Sequence, residues 1–194
     1  MKRLLLLLVF FSALNIKAQA SSTGLLLNMM DIKSSCENFR HQSNLYGGVT
    51  YLGTTTLYAI PHFTTDELKS LNIHDTGTQV EKYLVHDGWG HGSVNVYVVC
   101  DEEGKIANVI ASFCKPIAMS GEDGAMEAAS IFTWGEKIMD NEYGSSPRST
   151  GKEYGNESVV RKSYTGSDGV TIYFKLSVNL EGPSYVEIVY SNPW

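Results

Sequence analysis

The fold of this chain is decided by the stretch from Ser120 to Ser191, which begins with SGEDGAMEAASIFTWGEKIMDNEYG over Ser120–Gly144. Apolar residues recur in this segment at steps of three and four, the spacing of a helix with one buried stripe. The stripe contains Ala128, Ile131, Phe132, Gly135, Ile138 and Met139. Ser120 is predicted to cap the start of this helix, and Gly144 to end it, because glycine readily adopts a left-handed conformation.

The same stretch then changes to an alternating pattern in VTIYFKLSVN, Val170–Asn179. Alternation of this kind predicts a strand with one buried face and one face in water. Turn-forming residues flank the strand on both sides, so Val159–Thr165 and Tyr185–Tyr190 are its expected antiparallel neighbours. The long helix is predicted to pack on the apolar face of this strand.

Helices and strands are also interleaved in the first part of the chain. Short helices are predicted at residues 35–42, with Ser34 and Glu37 as the capping box, and at residues 64–71. β-Branched and aromatic residues predict strands over Val49–Leu52, Thr55–Ile60, Val80–His86, Ser93–Cys100 and Ile106–Cys114. The order predicts an α+β fold, with helices packed on one face of antiparallel sheet. Two loosely similar helix-then-sheet halves, residues 21–119 and 120–194, are expected within it.

The first twenty residues have the pattern of a secretory signal peptide. Lys2 and Arg3 precede an apolar run over Leu4–Phe11, and Ala18-Gln19-Ala20 fits the small-residue cleavage rule. The apolar run is shorter than the roughly 20 residues that a bilayer requires, so it predicts cleavage after Ala20 and not a membrane anchor. Residues 21–194 are expected to form a single α+β domain that is secreted or periplasmic.

The charge balance limits the kinds of partner. The chain has 15 basic and 21 acidic residues, and its leader contains three of the basic ones, so 12 basic residues remain against 21 acidic and the net charge is −9. A strongly negative protein does not attract nucleic acid or anionic membranes. A protein or another envelope component is the expected partner.

Three cysteines, Cys36, Cys100 and Cys114, follow the leader. Export would place them in an oxidising compartment, where a disulfide can form. Cys100 and Cys114 flank a predicted hairpin with its turn at Asp101–Lys105, and that register holds them too far apart to bond. Any disulfide must therefore include Cys36, but three buried reduced cysteines are the interpretation that the sequence favours.

The order of the elements resembles that of a known group of proteins. Leu27-Asn28-Met29-Met30-Asp31-Ile32 leads into a capped helix, and a helix ending in Tyr143-Gly144 precedes alternating strands. With the leader, this order resembles small secreted bacterial domains of the β-lactamase-inhibitor-protein-like and SmpA/OmlA-like kinds, which pair a helical layer with an antiparallel sheet. The likeness covers most of the chain after the leader and contains no diagnostic motif. It implies a binding or envelope-associated module without catalysis, and it assigns no functional residue.

The segment HDGWGHG, His86–Gly92, has the most unusual composition in the chain. At a hairpin tip, His86 and His91 would lie opposite one another and could share a metal ion with Asp87. Alternatively, Trp89 could contact a partner, because aromatic residues dominate interface energetics. The third interpretation is a solvated glycine-rich turn. The histidine spacing matches no established metal motif, so no metal site is predicted and His86 and His91 remain candidate ligands only.

Tyrosines on the strands are the remaining candidates for binding. Tyr97 and Tyr173 are expected on the outer face of the sheet, where they can bind carbohydrate or protein, or pack across strands. The sequence has no serine-hydrolase, zinc-protease, P-loop or dinucleotide motif, so no catalytic residue and no cofactor is predicted. The expected function is a non-enzymatic binding module. The alternative is a small metal-dependent or Cys-dependent hydrolase that uses residues 86–92 or Cys36.

Overall fold

The computed structural model describes residues 31–45, 47–56, 69, 79–86, 91–153 and 157–193. The elements, in chain order, are α1 Cys36–Leu45, β1 Val49–Thr56, β2 Gln79–His86, β3 Ser93–Cys100, β4 Ile106–Phe113, α2 Cys114–Met119, α3 Gly121–Tyr143, β5 Ser149–Glu153, β6 Glu157–Thr165, β7 Thr171–Val178 and β8 Tyr185–Ser191. The α+β prediction is confirmed. The predicted helix at residues 64–71 lies outside the described residues, except for residue 69, which is helical.

The eight strands form one antiparallel sheet in the order β1-β2-β3-β4-β8-β7-β6-β5. Each half of the chain contributes a four-stranded meander, and the last strands of the two meanders, β4 and β8, pair with one another. The chain reaches the far edge of the sheet through α3 before it returns strand by strand. The predicted halves therefore meet at the centre of a single sheet.

The long helix α3 packs on the sheet as the sequence predicts. Phe132 stacks on Phe174 of β7, with ring centroids 4.4 Å apart. Ile131 is fully buried in the same cluster, while Ile138 is partly buried against it. Phe39 of α1 belongs to this cluster too, in edge contact with Tyr83 at 5.3 Å. One continuous core thus joins both helices to strands from both halves.

A disulfide between Cys36 and Cys100 attaches α1 to the end of β3. The expectation of three reduced cysteines is therefore wrong. Cys36 occupies the first position of α1, and its N–H donates to the carbonyl of Gly104 in the β3–β4 turn. That contact brings the start of the helix beside Cys100, a proximity that depends on tertiary packing. Cys114 is the free thiol.

Three local predictions are corrected by the backbone. The first predicted strand, Val49–Leu52, and the start of the second join across Gly53 in the single strand β1, with a register shift at Gly53, whose φ is +101°. Residues 57–60 of the second predicted strand lie outside the described residues. Ser35, and not Ser34, caps α1, because its Oγ accepts from the N–H of Asn38 at 3.1 Å. Ser120 precedes α3 but makes no capping bond with its side chain. Gly144 ends α3 at φ +87°, as predicted.

The face of the sheet opposite the core, called the second face below, differs from the prediction. Its centre is a cluster of Val80, Tyr97, Val99, Ile110 and Val189, with Tyr173 packed against it. Among the described residues, only strand residues form this cluster. Lys175 and Ser177, which the alternation of β7 assigns to water, are 5% and 1% exposed. The second face is therefore buried at its centre.

Candidate binding site on the second face of the sheet

The hairpin of β2 and β3 does not pair the two candidate histidines. Ser93 is the partner of His86 across the ladder, and its Oγ lies 3.1 Å from Nδ1 of His86. His91 precedes β3 and points to helix α3 instead. The expected opposition of His86 and His91 is therefore wrong, because the register places His86 opposite Ser93, two residues after His91. Asp87 and Trp89 lie outside the described residues.

His91 contacts the side of α3. Its Nδ1 lies 3.6 Å from Oε1 of Glu127, and its ring lies 5.1 Å from that of Trp134. Glu127 is also bound by Lys115 at 3.0 Å. The carboxylate is thus shared by two nitrogen groups, which fits a structural contact that holds the end of the hairpin against the helix.

The structure weakens two alternatives from the sequence analysis, the metal-dependent hydrolase and the Cys-dependent hydrolase. In the described ranges, no group of three His, Cys, Asp or Glu side chains is arranged to hold a metal ion. Cys36 is bonded to Cys100, so it presents no thiolate for a Cys-dependent reaction. The sequence could not predict that Cys36 is bonded, because only the tertiary fold brings Cys36 and Cys100 together.

Polar side chains cross the middle of the second face in register. Asn95 of β3 pairs with Ser112 of β4, Ser112 with Glu187 of β8, Glu187 with Lys175 of β7, and Lys175 with Arg161 of β6. Residues directly opposite on an antiparallel ladder have Cβ atoms roughly 5 Å apart. These five residues, called the polar row below, therefore form one line of neighbouring side chains.

The centre of the polar row is buried. Ser112, Glu187 and Lys175 are 2%, 0% and 5% exposed. Ser177, two residues after Lys175 on the same face, is equally buried and pairs with Tyr185. Lys175 lies opposite Glu187 on the β7–β8 ladder, so a basic and an acidic side chain are neighbours in this buried place.

Two hydroxyls beside Glu187 and Lys175 have no hydrogen-bond partner among the described residues. The Oγ atoms of Ser112 and Ser177 are buried and unpaired within the part of the chain that the structure describes. Most buried polar atoms in proteins are hydrogen-bonded, and an unpaired one calls for an explanation such as a ligand. Both hydroxyls border the Glu187–Lys175 pair, so any such ligand would lie at one place on the sheet.

Tyrosines flank the polar row on both sides. Tyr97 and Tyr173 lie in the next line of residues, on either side of Ile110 and Val189. Tyr97 is 4% exposed, so the expectation of an exposed aromatic is wrong for it, whereas Tyr173 is half-buried. Burial raises the pKa of Tyr97, and the neighbouring Cys114 and Glu187 raise it further.

Tyr185 lies on the opposite side of the row. Burial, together with Glu157 and Glu187, raises the pKa of Tyr185 to about 12. Tyr97 and Tyr185 are therefore neutral phenols at ordinary pH, able to donate or accept a hydrogen bond. They give the site aromatic walls on both flanks.

Cys114 lies at the edge of the same site. Asn95 donates a hydrogen bond from Nδ2 to its Sγ at 3.2 Å. Burial raises the pKa of the Cys114 thiol, although the bond from Asn95 and the charge of Lys82 oppose the rise. The thiol is therefore largely protonated at neutral pH, and a protonated thiol is a poor nucleophile.

The arrangement is suited to binding. It offers hydroxyl, phenol and amide groups around one acid–base pair, with aromatic walls, and this is the composition of sites that hold uncharged polar groups. Sequence reasoning placed Tyr97 and Tyr173 on this face but missed Ser112, Ser177, Lys175 and Glu187. The alternation of β7 placed Lys175 and Ser177 on the face away from the core, but only the order of the strands shows that β4, β8 and β7 are neighbours.

No protein-family model, curated protein or solved structure matches the chain. The likeness to the inhibitor-like and SmpA/OmlA-like modules therefore remains an expectation from the order of elements. The described residues include no helix with the length and apolar character needed to cross a membrane.

Proposed function

We propose that the protein is a secreted or periplasmic, non-enzymatic binding module that binds a protein or envelope component through the second face of its sheet. The observation that carries this proposal is the pair of unpaired hydroxyls, Ser112 and Ser177, beside Glu187 and Lys175. The half-buried rim of Asn95, Arg161 and Tyr173 is where a partner makes its first contacts.

The hydroxyls favour a binding role over a role in folding. A buried hydroxyl without a partner destabilises a protein by about 1–3 kcal/mol. Alanine at either position would avoid that cost while occupying almost the same space. Groups that oppose stability are characteristic of functional sites, because function and stability are optimised separately.

The chemistry near the site supports binding without catalysis. The Cys114 thiol has a raised pKa, which burial causes first. Tyr185 and Tyr97 have raised pKa values as well, again mainly through burial. General acid–base catalysis works best with groups that titrate near the operating pH, and these three groups are shifted away from it.

The proposed address is supported by two independent features. The first twenty residues have the pattern of a cleavable leader. The Cys36–Cys100 disulfide supports export, because disulfides form and persist in oxidising compartments. N-terminal sequencing of the protein from a cell envelope or medium fraction should begin at Ser21, and retention of Met1 in the cytoplasm would contradict export.

The function is tested by alanine substitution at the two hydroxyls. Ser112→Ala and Ser177→Ala should keep or raise the melting temperature, because each removes an unsatisfied polar group. Both should weaken retention of the partner that wild-type protein captures from the envelope fraction of its source cells, measured by quantitative mass spectrometry. Ser163→Ala is the matched control, since Ser163 lies on the same face but is exposed.

The outcomes separate the roles clearly. A lower melting temperature in both variants, with unchanged capture, would assign the hydroxyls to folding and remove the proposal. Loss of capture in Ser163→Ala to the same degree would also contradict it, because an exposed serine outside the row would then matter equally.

A further inference from the structure

Strand β1 forms one edge of the sheet. Its ladder with β2 occupies one side of the strand, and among the described residues no strand pairs with the other side. An edge of this kind presents a row of backbone N–H and C=O groups that can pair with another strand. Natural proteins usually protect such edges with charged residues, proline, a very short strand or a bulge.

The two edges of this sheet differ in their protection. β5, at one edge, has five residues, STGKE, and its sequence includes Lys152 and Glu153. β1, at the other edge, has eight residues, VTYLGTTT, with no charged residue and no proline. Its one protective feature is the bulge at Gly53. Pairing with another strand is therefore expected at β1, provided that the bulge permits it.

The ladder with β2 shows which backbone groups of β1 point outward. The N–H of His86 donates to the C=O of Gly48 at 2.7 Å. Because hydrogen-bonded and non-bonded pairs alternate along an antiparallel ladder, every second residue of β2 before His86 also bonds to β1. The partners of those residues on β1 are Thr50, Gly53 and Thr55. The residues whose N–H and C=O groups point away from β2 are then Val49, Tyr51, Thr54 and Thr56.

The bulge gives this outward pattern a symmetry. Leu52 is the extra residue that the β1–β2 register skips. The steps between outward residues are therefore two, three and two positions (49 to 51, 51 to 54 and 54 to 56), and this pattern reads the same in both directions. A regular strand, whose outward residues recur every two positions, matches only half of it. A second copy of β1 running antiparallel matches all of it.

The side chains fit the same pairing. Val49 would lie opposite Thr56 of the second copy, and Tyr51 opposite Thr54 of the second copy. Pairs of β-branched and aromatic residues favour a ladder, and no like charges meet. Leu52, which is 49% exposed, would lie opposite Gly53 of the second copy. No atom lies within 4 Å of the place that a Cβ atom on Gly53 would occupy, so the leucine has room there.

We propose that β1 pairs with β1 of a second copy of this chain, antiparallel and centred between Leu52 and Gly53. The contact is the same on both copies, so it closes as a two-fold dimer and does not extend into a fibre. The joined sheet then ends in β5 on both sides. The edge is separate from the second face, so this proposal does not depend on the function proposed above.

Sedimentation velocity of the purified protein, at concentrations up to about 1 mM, tests the dimer. The wild-type protein should form dimers as its concentration rises. Leu52→Lys should weaken dimerisation at least about tenfold, because it removes an apolar side chain from each copy and brings two like charges together at the centre. Leu180→Lys is the matched control, since Leu180 is 64% exposed but lies in the turn before β8, and it should leave dimerisation unchanged.

A pair of charged variants tests for self-pairing directly. Leu52→Glu alone should weaken dimerisation as Leu52→Lys does. An equimolar mixture of the two variants should dimerise again, because opposite charges then meet at the centre of the ladder. Only a contact that places residue 52 of one copy close to residue 52 of the other predicts this recovery. Circular dichroism confirms that each variant is folded.

Amide hydrogen exchange followed by NMR tests the register. Dimerisation should slow exchange at the outward amides, which are those of Val49, Tyr51, Thr54 and Thr56. The amides of Thr50 and Thr55 are already bonded to β2 and should change little between low and high concentration.

Three results would overturn the proposal. The first is a wild-type protein that stays monomeric up to about 1 mM. The second is a dimer that Leu52→Lys leaves intact, or that the mixture of charged variants fails to restore, because the contact would then lie elsewhere or involve another occupant of the edge. The third is a dimer in which exchange at the four outward amides is not slowed.

Discussion

At the scale of single residues, the best-defined polar contact is the one made by Lys162 on β6. Its side chain is 3% exposed, and its Nζ donates to Asp140 Oδ1 at 2.8 Å and to Glu136 Oε1 at 3.1 Å. Tyr164 also donates to Asp140 at 2.8 Å. Burial opposes the charge of Lys162, but the hydrogen bonds to the two carboxylates prevail and raise its pKa. The network fastens α3 to β6.

Lys162→Met should lower the free energy of unfolding by about 2 kcal/mol, because Asp140 and Glu136 would each lose a hydrogen-bonded partner of opposite charge. Lys137→Met is the control, as Lys137 is exposed on α3 and should change stability by less than about 0.5 kcal/mol. Urea unfolding followed by circular dichroism measures both. If Lys162→Met and Lys137→Met lowered stability equally, the contacts of Lys162 would make no specific contribution to stability.

Acid should weaken the protein through the same network. Hydrogen bonds from Arg148 and then Lys162 lower the pKa of Glu136 below 4.5, although burial opposes the change. Burial opposes the shift of Asp140 as well, but bonds from Lys162 and Tyr164 lower its pKa below 3.8. Because both pKa values are depressed in the folded state, this stabilisation is complete at neutral pH and is lost as the pH falls below about 4.

The measurement is the free energy of unfolding in urea between about pH 7 and pH 3. Lys162→Met should show a shallower decline on acidification than the wild-type protein, since Asp140 then titrates closer to its ordinary range. Parallel curves for the two proteins would contradict the role assigned to Lys162.

At the scale of elements, the packing of α3 on β7 follows from two periodicities. The 3.6-residue stripe of α3 and the alternation of β7 each expose one apolar face, and the two faces meet. Gly135 allows the closest approach, because a Cβ atom there would lie 2.8 Å from Cζ of Phe174. The stack of Phe132 on Phe174 occupies the adjacent turn.

Gly135→Ala should therefore destabilise the protein by about 1–3 kcal/mol, although alanine normally favours a helix. Ser130→Ala, at an exposed position of α3, should be neutral or slightly stabilising. Thermal unfolding of the two variants measures the difference. The effect of Gly135→Ala should shrink in a Phe174→Leu background, and an unchanged effect would show that the ring is not the cause.

At the scale of the whole molecule, the disulfide joins segments that are 64 residues apart. In the loop-entropy account, a disulfide that closes a loop of this length stabilises the folded state by roughly 4 kcal/mol. Measured stabilisation by disulfides is commonly about 2–4 kcal/mol. Cys36→Ala/Cys100→Ala should lose stability in that range, while Cys114→Ala should lose less. The wild-type protein, unfolded without reductant, should react with one equivalent of thiol reagent, and three equivalents would contradict the bond.

The two halves should also unfold together. Phe39, Ile131, Val109 and Ile188 belong to one core, which spans the β4–β8 pairing at the centre of the sheet. Ile188→Ala should lower stability by about 2–4 kcal/mol and keep a single transition by tryptophan fluorescence and circular dichroism. Two separated transitions would instead indicate halves that fold independently.

The sequence by itself determined α1, α3, most of the strands and the contact of α3 with β7, because periodicity is a local property that a chain carries in any fold. It predicted neither α2 nor β5. It also ruled out a bond between Cys100 and Cys114, since hairpin register is local too. The tertiary structure alone decided which strands are neighbours, and hence the polar row from Asn95 to Arg161, the Cys36–Cys100 bond and the burial of Lys175. These features are contacts between residues that are far apart in the sequence, and a local sequence pattern does not predict such contacts.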